Sequence, residues 1–187
     1  MKKIILFVFA LPLFSMAQQQ TKIYNLQLAK QIISWTGYGE IGSYSLTGAL
    51  NLKSGRFEYD GQVLSKGVFV FDMNTINHEN KTLVKHLKDE DFFYVKKYPV
   101  AEFQLSTVKN GKASGFVIIR NIKKPIEFPV SIVENTAKQL VIKGTLSIDR
   151  TQFEIYYNSN SFFQNLGSNA IKNQFDLKFE LVAAAGS

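Results

Sequence analysis

With 187 residues, 22 basic against 15 acidic side chains and no cysteine, the chain is long enough for one full hydrophobic core. It has to hold that core without disulfides and offers no cysteine for a lipid anchor. Setting aside Lys2 and Lys3, 20 basic residues face 15 acidic ones, a net charge of +5. Cations so evenly spread read as the solvated exterior of a barrel, with an acidic membrane surface as the sharper alternative.

Residues 1–17 have the build of a secretory signal peptide. Lys2 and Lys3 form the positive start, Ile4 to Phe14 the apolar stretch, and Ser15-Met16-Ala17 a small-residue site suited to cleavage before Gln18. That stretch is too short to span a bilayer, and no later segment approaches the roughly 20 apolar residues of a spanning helix. The expectation is an exported, periplasmic product with a single domain over residues 18–187. Export argues against a nucleic-acid partner.

Next comes Gly37-Tyr38-Gly39-Glu40-Ile41-Gly42, which has the glycine spacing of a dinucleotide fingerprint. The chemistry requires a helix to follow, so that its N-terminus receives the pyrophosphate; here an alternating strand follows, and the glycines read as a bend in a sheet. In that strand Tyr44, Leu46, Leu50 and Leu52 oppose Ser43, Ser45, Thr47 and Asn51. The same period of two places Phe103 and Leu105 against Glu102 and Gln104. It also places Ile126, Phe128, Val130 and Ile132 on one face, Leu140, Ile142, Leu146 and Ile148 on another, and Phe175, Leu177, Phe179 and Leu181 on a last one. Lys53-Ser54-Gly55, Asp60-Gly61, Lys66-Gly67 and above all Asn110-Gly111 read as hairpin signals.

About eight antiparallel strands, each with one wet and one dry face, are best satisfied by closing the sheet on itself. The expected fold is all-β, a closed lipocalin-like β-barrel, with one short helical insert at about 78–95. In that insert Leu83 and Leu87 are spaced i, i+4, Asn77 or Asn80 can cap the start, and Lys85 and Lys88 suit the last turn. Asp91 is expected to cap a further turn carrying Phe92 and Phe93, and Pro99 to restart the sheet. The final Ala183-Ala184-Ala185-Gly186-Ser187 reads as a frayed end or an expression scar.

Few residues could carry chemistry. The two histidines, His78 and His86, lie about 80 degrees apart on an ideal helix and share no face for a metal. No nucleophile-elbow pattern is present, so no catalytic residue, metal site or cofactor is expected. Asp72, His86 and Arg150 are the polar candidates for the rim of a pocket; Asp149-Arg150 also suits a strand-end ion pair. The aromatic load fits a lumen packed with rings and a ligand tunnel equally well.

Several motifs carry a family resemblance: Gly42-Ser43 with Gly48 and Lys53-Ser54-Gly55; Gly67 with Asp72-Met73-Asn74 and Ile76; His86-Leu87-Lys88 with Asp91-Phe92-Phe93 and Tyr98-Pro99; Phe103; and Asp149-Arg150-Thr151 with Phe153. From Trp35 to Val182 the chain resembles the YceI-like proteins, exported barrels associated with polyisoprenoid binding. It departs from them at Asn121 and Lys123, where the family usually has Gly and Thr, at Glu154, where a Gly often follows Phe153, and at Tyr44, where a His is frequent. The resemblance implies an elongated barrel whose tunnel holds a long isoprenoid tail, with no cofactor and no agreed reaction. The expected tunnel lining is Trp35, Tyr44, Phe71, Met73, Phe103, Phe128, Ile142 and Phe179, with Leu83, Leu87, Phe92 and Phe93 as a plug. A generic fatty-acid binder, or an enzyme acting on a lipid headgroup through the rim residues, are the alternatives.

Overall fold

The structure is a computed structural model that describes residues 20–42, 44–136 and 139–186; the signal-peptide reading, and Ser43 of the Gly42-Ser43 motif, lie outside the described residues. The alternation of the sequence becomes nine antiparallel strand segments: β1 (Lys22–Leu26), β2 (Ile32–Gly39), β3 (Ser45–Tyr59), β4 (Leu64–Asn77), β5 (Val100–Lys109), β6 (Lys112–Ile119), β7 (Ile122–Asn135), β8 (Gln139–Asp149) and β9 (Ile171–Ala185). One helix, α1 (Lys81–Lys88), separates β4 from β5. Around the sheet the order runs β3-β2-β9-β8-β7-β6-β5-β4 and returns to β3, a closed barrel of eight staves.

The ninth segment is part of one of those staves. β1 pairs with the far ends of β3 and β9, and β2 pairs with the same two strands further along. They are two halves of one stave, interrupted by a 3-10 turn at Leu28–Lys30. Gln31 bridges the break: its side-chain amide donates to the Val182 carbonyl at 3.0 Å and accepts from the Val182 N–H at 3.2 Å, as a strand peptide would. Sequence reasoning missed β1, which has only Tyr24 and Leu26 facing inward. The expected frayed C-terminus is corrected by the same contacts: Ala183–Ala185 pair with β1 on one side and β8 on the other, and Ala183 is fully buried.

Two expected hairpins turn out to be bulges inside long strands. β3 runs straight through Lys53-Ser54-Gly55, where the register to β4 shifts and the inward phase passes from Leu50 and Leu52 to Phe57 and Tyr59. β4 runs through Lys66-Gly67, with Lys66 at φ 49 as the extra residue and its ammonium paired to Glu58 at 2.9 Å. The bulge at Lys66 and a turn both need a residue that enters the left-handed region, so one sequence signal serves either; Gly55 instead makes room for Leu26, which a Cβ there would overlap. Hairpins do form at Asp60-Gly61, at Asn110-Gly111 (φ 52 and 72), and at Arg120-Asn121 (φ 52 and 62), where Asn121 supplies without glycine the angle the turn demands.

One end of the barrel, the upper end, carries the β2–β3 loop, α1 with the segment to Pro99, the β6–β7 turn and the long β8–β9 connection. Asn80 caps α1 by accepting from the Leu83 N–H at 3.1 Å. The following turn is closed by the Asp89 carbonyl, which accepts from the Phe92 and Tyr94 N–H groups, and not by an Asp91 side-chain cap. After β8 comes a 3-10 turn, Arg150–Phe153, stopped by Glu154 at φ 60 and ψ 30. An L-residue there costs about 1 kcal/mol that glycine does not. Glu154→Gly is therefore expected to raise the unfolding free energy by about 1 kcal/mol less the chain entropy glycine adds. Chemical denaturation checks it; a variant less stable than the wild type would contradict the strain.

Candidate functional site

Inside the barrel the sheet closes around an apolar cavity of about 150 Å³, far above the roughly 10–15 Å³ that one water needs on the same measure. Its accessible lining is wholly apolar. On β9 the lining extends from Ile171 to Leu181, which is about 33 Å of strand at roughly 3.3 Å per residue and about 25 Å along the axis of a barrel tilted by some 40 degrees. The lumen is long and narrow, with Leu64, Val108 and Ala113 toward the lower end and Trp35, Gly37, Phe93 and Gln174 toward the upper.

An aromatic belt girdles it. Phe69, Phe103, Phe128 and Phe179 follow one another around the wall with ring centroids 5.3 to 6.1 Å apart, and the buried Phe57 packs on Phe69 at 6.3 Å. Rings of this size fit because glycine lies beneath them: a Cβ on Gly144 would come within 2.5 Å of the Phe179 ring, and one on Gly48 within 2.4 Å of Trp35. The belt narrows the bore without filling it. Below it Tyr24, stacked on Phe57 at 5.6 Å, and Tyr59 make an aromatic floor.

Of the expected lining, Trp35, Phe71, Met73, Phe103, Phe128, Ile142 and Phe179 are on the cavity wall, as are Leu87, Phe92 and Phe93 of the plug. Leu83 packs against the core behind them without reaching the wall. Tyr44 is the correction. It precedes the first residue of β3, is 63% exposed and points away from the lumen, because the alternation of β3 does not extend past its own start at Ser45. Phe69, Phe175 and Leu177, inward by the same period of two but outside the expected lining, also lie on the wall.

The three polar candidates separate. Asp72 is off the wall: its carboxylate accepts from the Asn74 N–H and Nδ2, both at 3.0 Å, and organises a wide bulge at the end of β4. That bulge ties down the plug, since Lys88 Nζ donates to the Asn74 carbonyl at 2.6 Å and the Met73 N–H to the Pro99 carbonyl at 3.0 Å. His86 is also off the wall, wedged against Tyr157 at 4.3 Å and Phe92 at 6.0 Å, with its buried Nε2 lacking a hydrogen-bond partner.

Arg150 does line the cavity and is only 2% exposed. The expected ion pair with Asp149 is not made, because Asp149 accepts instead from the Thr151 N–H and hydroxyl. Arg150 donates to three backbone carbonyls, those of Ile155 at 2.7 Å, Ile171 at 3.0 Å and Lys172 at 3.1 Å. Burial pushes its pKa down and the nearby Asp149 charge opposes that; a guanidinium nonetheless stays charged at neutral pH. The lumen is thus an apolar bore with a carbonyl-held cation at its upper end. Inside the barrel near that end, the Trp35 indole N–H is buried without a partner.

The family profile described as a YceI-like domain matches residues 24–183. The chain belongs to the YceI-like family. Solved structures share this fold at low identity. BcnA of Burkholderia cenocepacia is 19% identical with a TM-score of 0.61, covering 84% of this chain and 98% of that one. A polyisoprenoid binding domain from Saccharophagus degradans is 13% identical with a TM-score of 0.66, covering 87% and 98%. A Campylobacter jejuni YCEI protein is 19% identical with a TM-score of 0.60, covering 79% and 90%. No curated protein matches the chain.

Within this YceI-like barrel, Arg150 fastens the β8–β9 connection to the start of β9. Arg150→Ala leaves three carbonyls without donors and is expected to lower stability by about 2–5 kcal/mol, with Arg150→Lys intermediate because it keeps the charge and loses the fork. Urea unfolding of the three proteins checks this; equal midpoints for Ala and wild type would show that the carbonyls find other partners.

Proposed function

We propose that this YceI-like protein is a periplasmic carrier that sequesters an isoprenoid lipid, a polyprenyl chain or a quinone with an isoprenoid tail, inside its barrel. The observation that carries the reading is the long lumen whose accessible lining is entirely apolar. The name of the Saccharophagus degradans neighbour, a polyisoprenoid binding domain, supports the choice of lipid. The reading is of a binding protein, in keeping with a family known as a binding fold. The leader-like residues 1–17 support export.

Partition supplies the affinity. Burying each methylene is worth roughly 0.8 kcal/mol, so ten carbons contribute about 8 kcal/mol before ordering costs are subtracted. The belt of phenylalanines confines a slender chain, and the exposed Lys172 and Gln174 at the upper end of the lining are placed to meet an oxygen-bearing headgroup. A tail of this kind is held in bilayers, so the reading also calls for transient contact with a membrane surface.

Organic extraction and mass spectrometry of the protein purified from the periplasm is expected to release one isoprenoid lipid per chain. Phe128→Asp places an unpaired charge in the bore and is expected to abolish that content while the variant stays folded. Fatty acids in the extract would replace the isoprenoid reading, and undiminished lipid in a folded Phe128→Asp variant would reject the lumen as the site.

A further inference from the structure

Of the twelve large apolar side chains exposed among the described residues, five lie on two loops of the upper end: Ile41 and Tyr44 between β2 and β3, and Tyr156, Phe162 and Phe163 between β8 and β9. The other seven are spread over β1, β2, β4, β6, β7 and the Leu28 turn. Scattered exposed apolar residues are ordinary, whereas a concentration at one rim marks a contact surface. The two loops are bonded together, Glu40 N–H to the Ala170 carbonyl at 2.9 Å, with Ile171 N–H donating to Asn158 O at 2.8 Å. Ile171 and the exposed Lys172 and Gln174 that follow it line the cavity. The exposed rings therefore stand beside the place where the lumen reaches the surface.

Their exposure is built. Ser159 is fully buried, and its carbonyl accepts from the Phe162 and Phe163 N–H groups at 3.0 and 2.9 Å. Its hydroxyl bonds Asn173 Oδ1 at 2.7 Å and accepts from the Ser161 N–H at 3.2 Å. This polar knot under the loop holds Phe162 at 53% and Phe163 at 48% exposure, with the Tyr156 ring tilted against Phe162 at 4.2 Å between centroids. From Ile155 to Ala170 there is no Asp, Glu, Lys, Arg or His, so this loop can enter a headgroup layer without desolvating a charge. From Gln18 on the chain carries 20 basic against 15 acidic residues, an excess that complements an anionic surface.

The geometry points to these two loops as a docking face for an anionic lipid bilayer, with Phe162 and Phe163 entering the headgroup region and the mouth of the cavity brought to the membrane. The inference rests on the carrier reading for its purpose, while the contact itself belongs to the outer surface and is measured separately. The chain from Gln18 on, which holds every described element of the barrel, is mixed with vesicles of phosphatidylethanolamine and phosphatidylglycerol. It is expected to sediment with them, more weakly at high salt. Phe162→Ser/Phe163→Ser is expected to lower the partition constant about tenfold or more. Phe116→Ser, which removes an exposed ring on β6, is expected to leave it unchanged, and near-ultraviolet dichroism to show all three folded.

Absence of wild-type binding, or equal binding by the double variant, overturns the docking face. So does a wild-type dimer that the double variant loses in sedimentation without any vesicle binding, which would make the patch a self-contact. Vesicle binding that depends on Phe162 and Phe163 in a protein from which no lipid can be extracted would leave the docking face standing and overturn the carrier reading alone.

Discussion

Closure of the sheet along β3 and β4 is the constraint on which the hollow interior depends. An open sheet with one apolar face must cover it with another layer, and a packed layer leaves no room for a guest. A closed sheet covers itself and pairs its backbone groups around the ring, so the interior side chains are released from any duty except to be apolar. The β3–β4 seam is also the most irregular in the barrel, with three register shifts. Each shift resets which residues point inward, so that Leu50 and Leu52 above and Phe57 below all face the same lumen. The belt of rings then follows from glycine placement, since Gly48 and Gly144 leave the wall thin where Trp35 and Phe179 need space.

The upper end is fastened by cations that bind carbonyls in place of carboxylates. Arg120 donates to the Phe92 carbonyl at 3.3 Å and to the Glu154 carbonyl at 2.8 Å, strapping the plug to the 3-10 turn. Arg150 straps that turn to β9, and Lys88 holds α1 to the β4 bulge. A carbonyl does not titrate and a guanidinium stays charged through the physiological range. These fastenings hence keep their strength across pH values at which an Asp or Glu partner would be neutralised.

The sequence is legible where a stretch of strand keeps one phase. β5 does so from Ala101 to its bulge after Leu105, and β9 from Phe175 to Leu181, and Phe103 and that run of β9 lie on the wall as their spacing says. It misled where bulges intervene: Lys66-Gly67 has the chemistry of a turn because an extra residue in the left-handed region needs the same tolerance. Extending the phase of Leu46 one step past the strand turns Tyr44 inward on paper, whereas the strand starts only at Ser45. Arg150 stood out as a charge at a strand end, but nothing in the sequence marks the carbonyls of Ile155, Ile171 and Lys172 as its partners, since any residue offers that group. The plug was legible in outline: the i, i+4 leucines gave α1, whereas Leu83 facing the core behind the wall depends on how α1 is tilted, which spacing does not encode.

The order of strands carries a consequence for how the barrel is made. β2 and β1, near the start of the chain, take their second neighbour from β9, its last strand. Every other seam joins strands close in sequence and can zip locally; this one spans nearly the whole polypeptide and carries the loop-closure entropy of all of it. A chain that has not yet released Ile171 to Ala185 holds two raw edges, on β2 and β8, that invite pairing with other molecules. The ring is completed only when β9 docks, and until then the unfinished barrel needs shelter from its own kind.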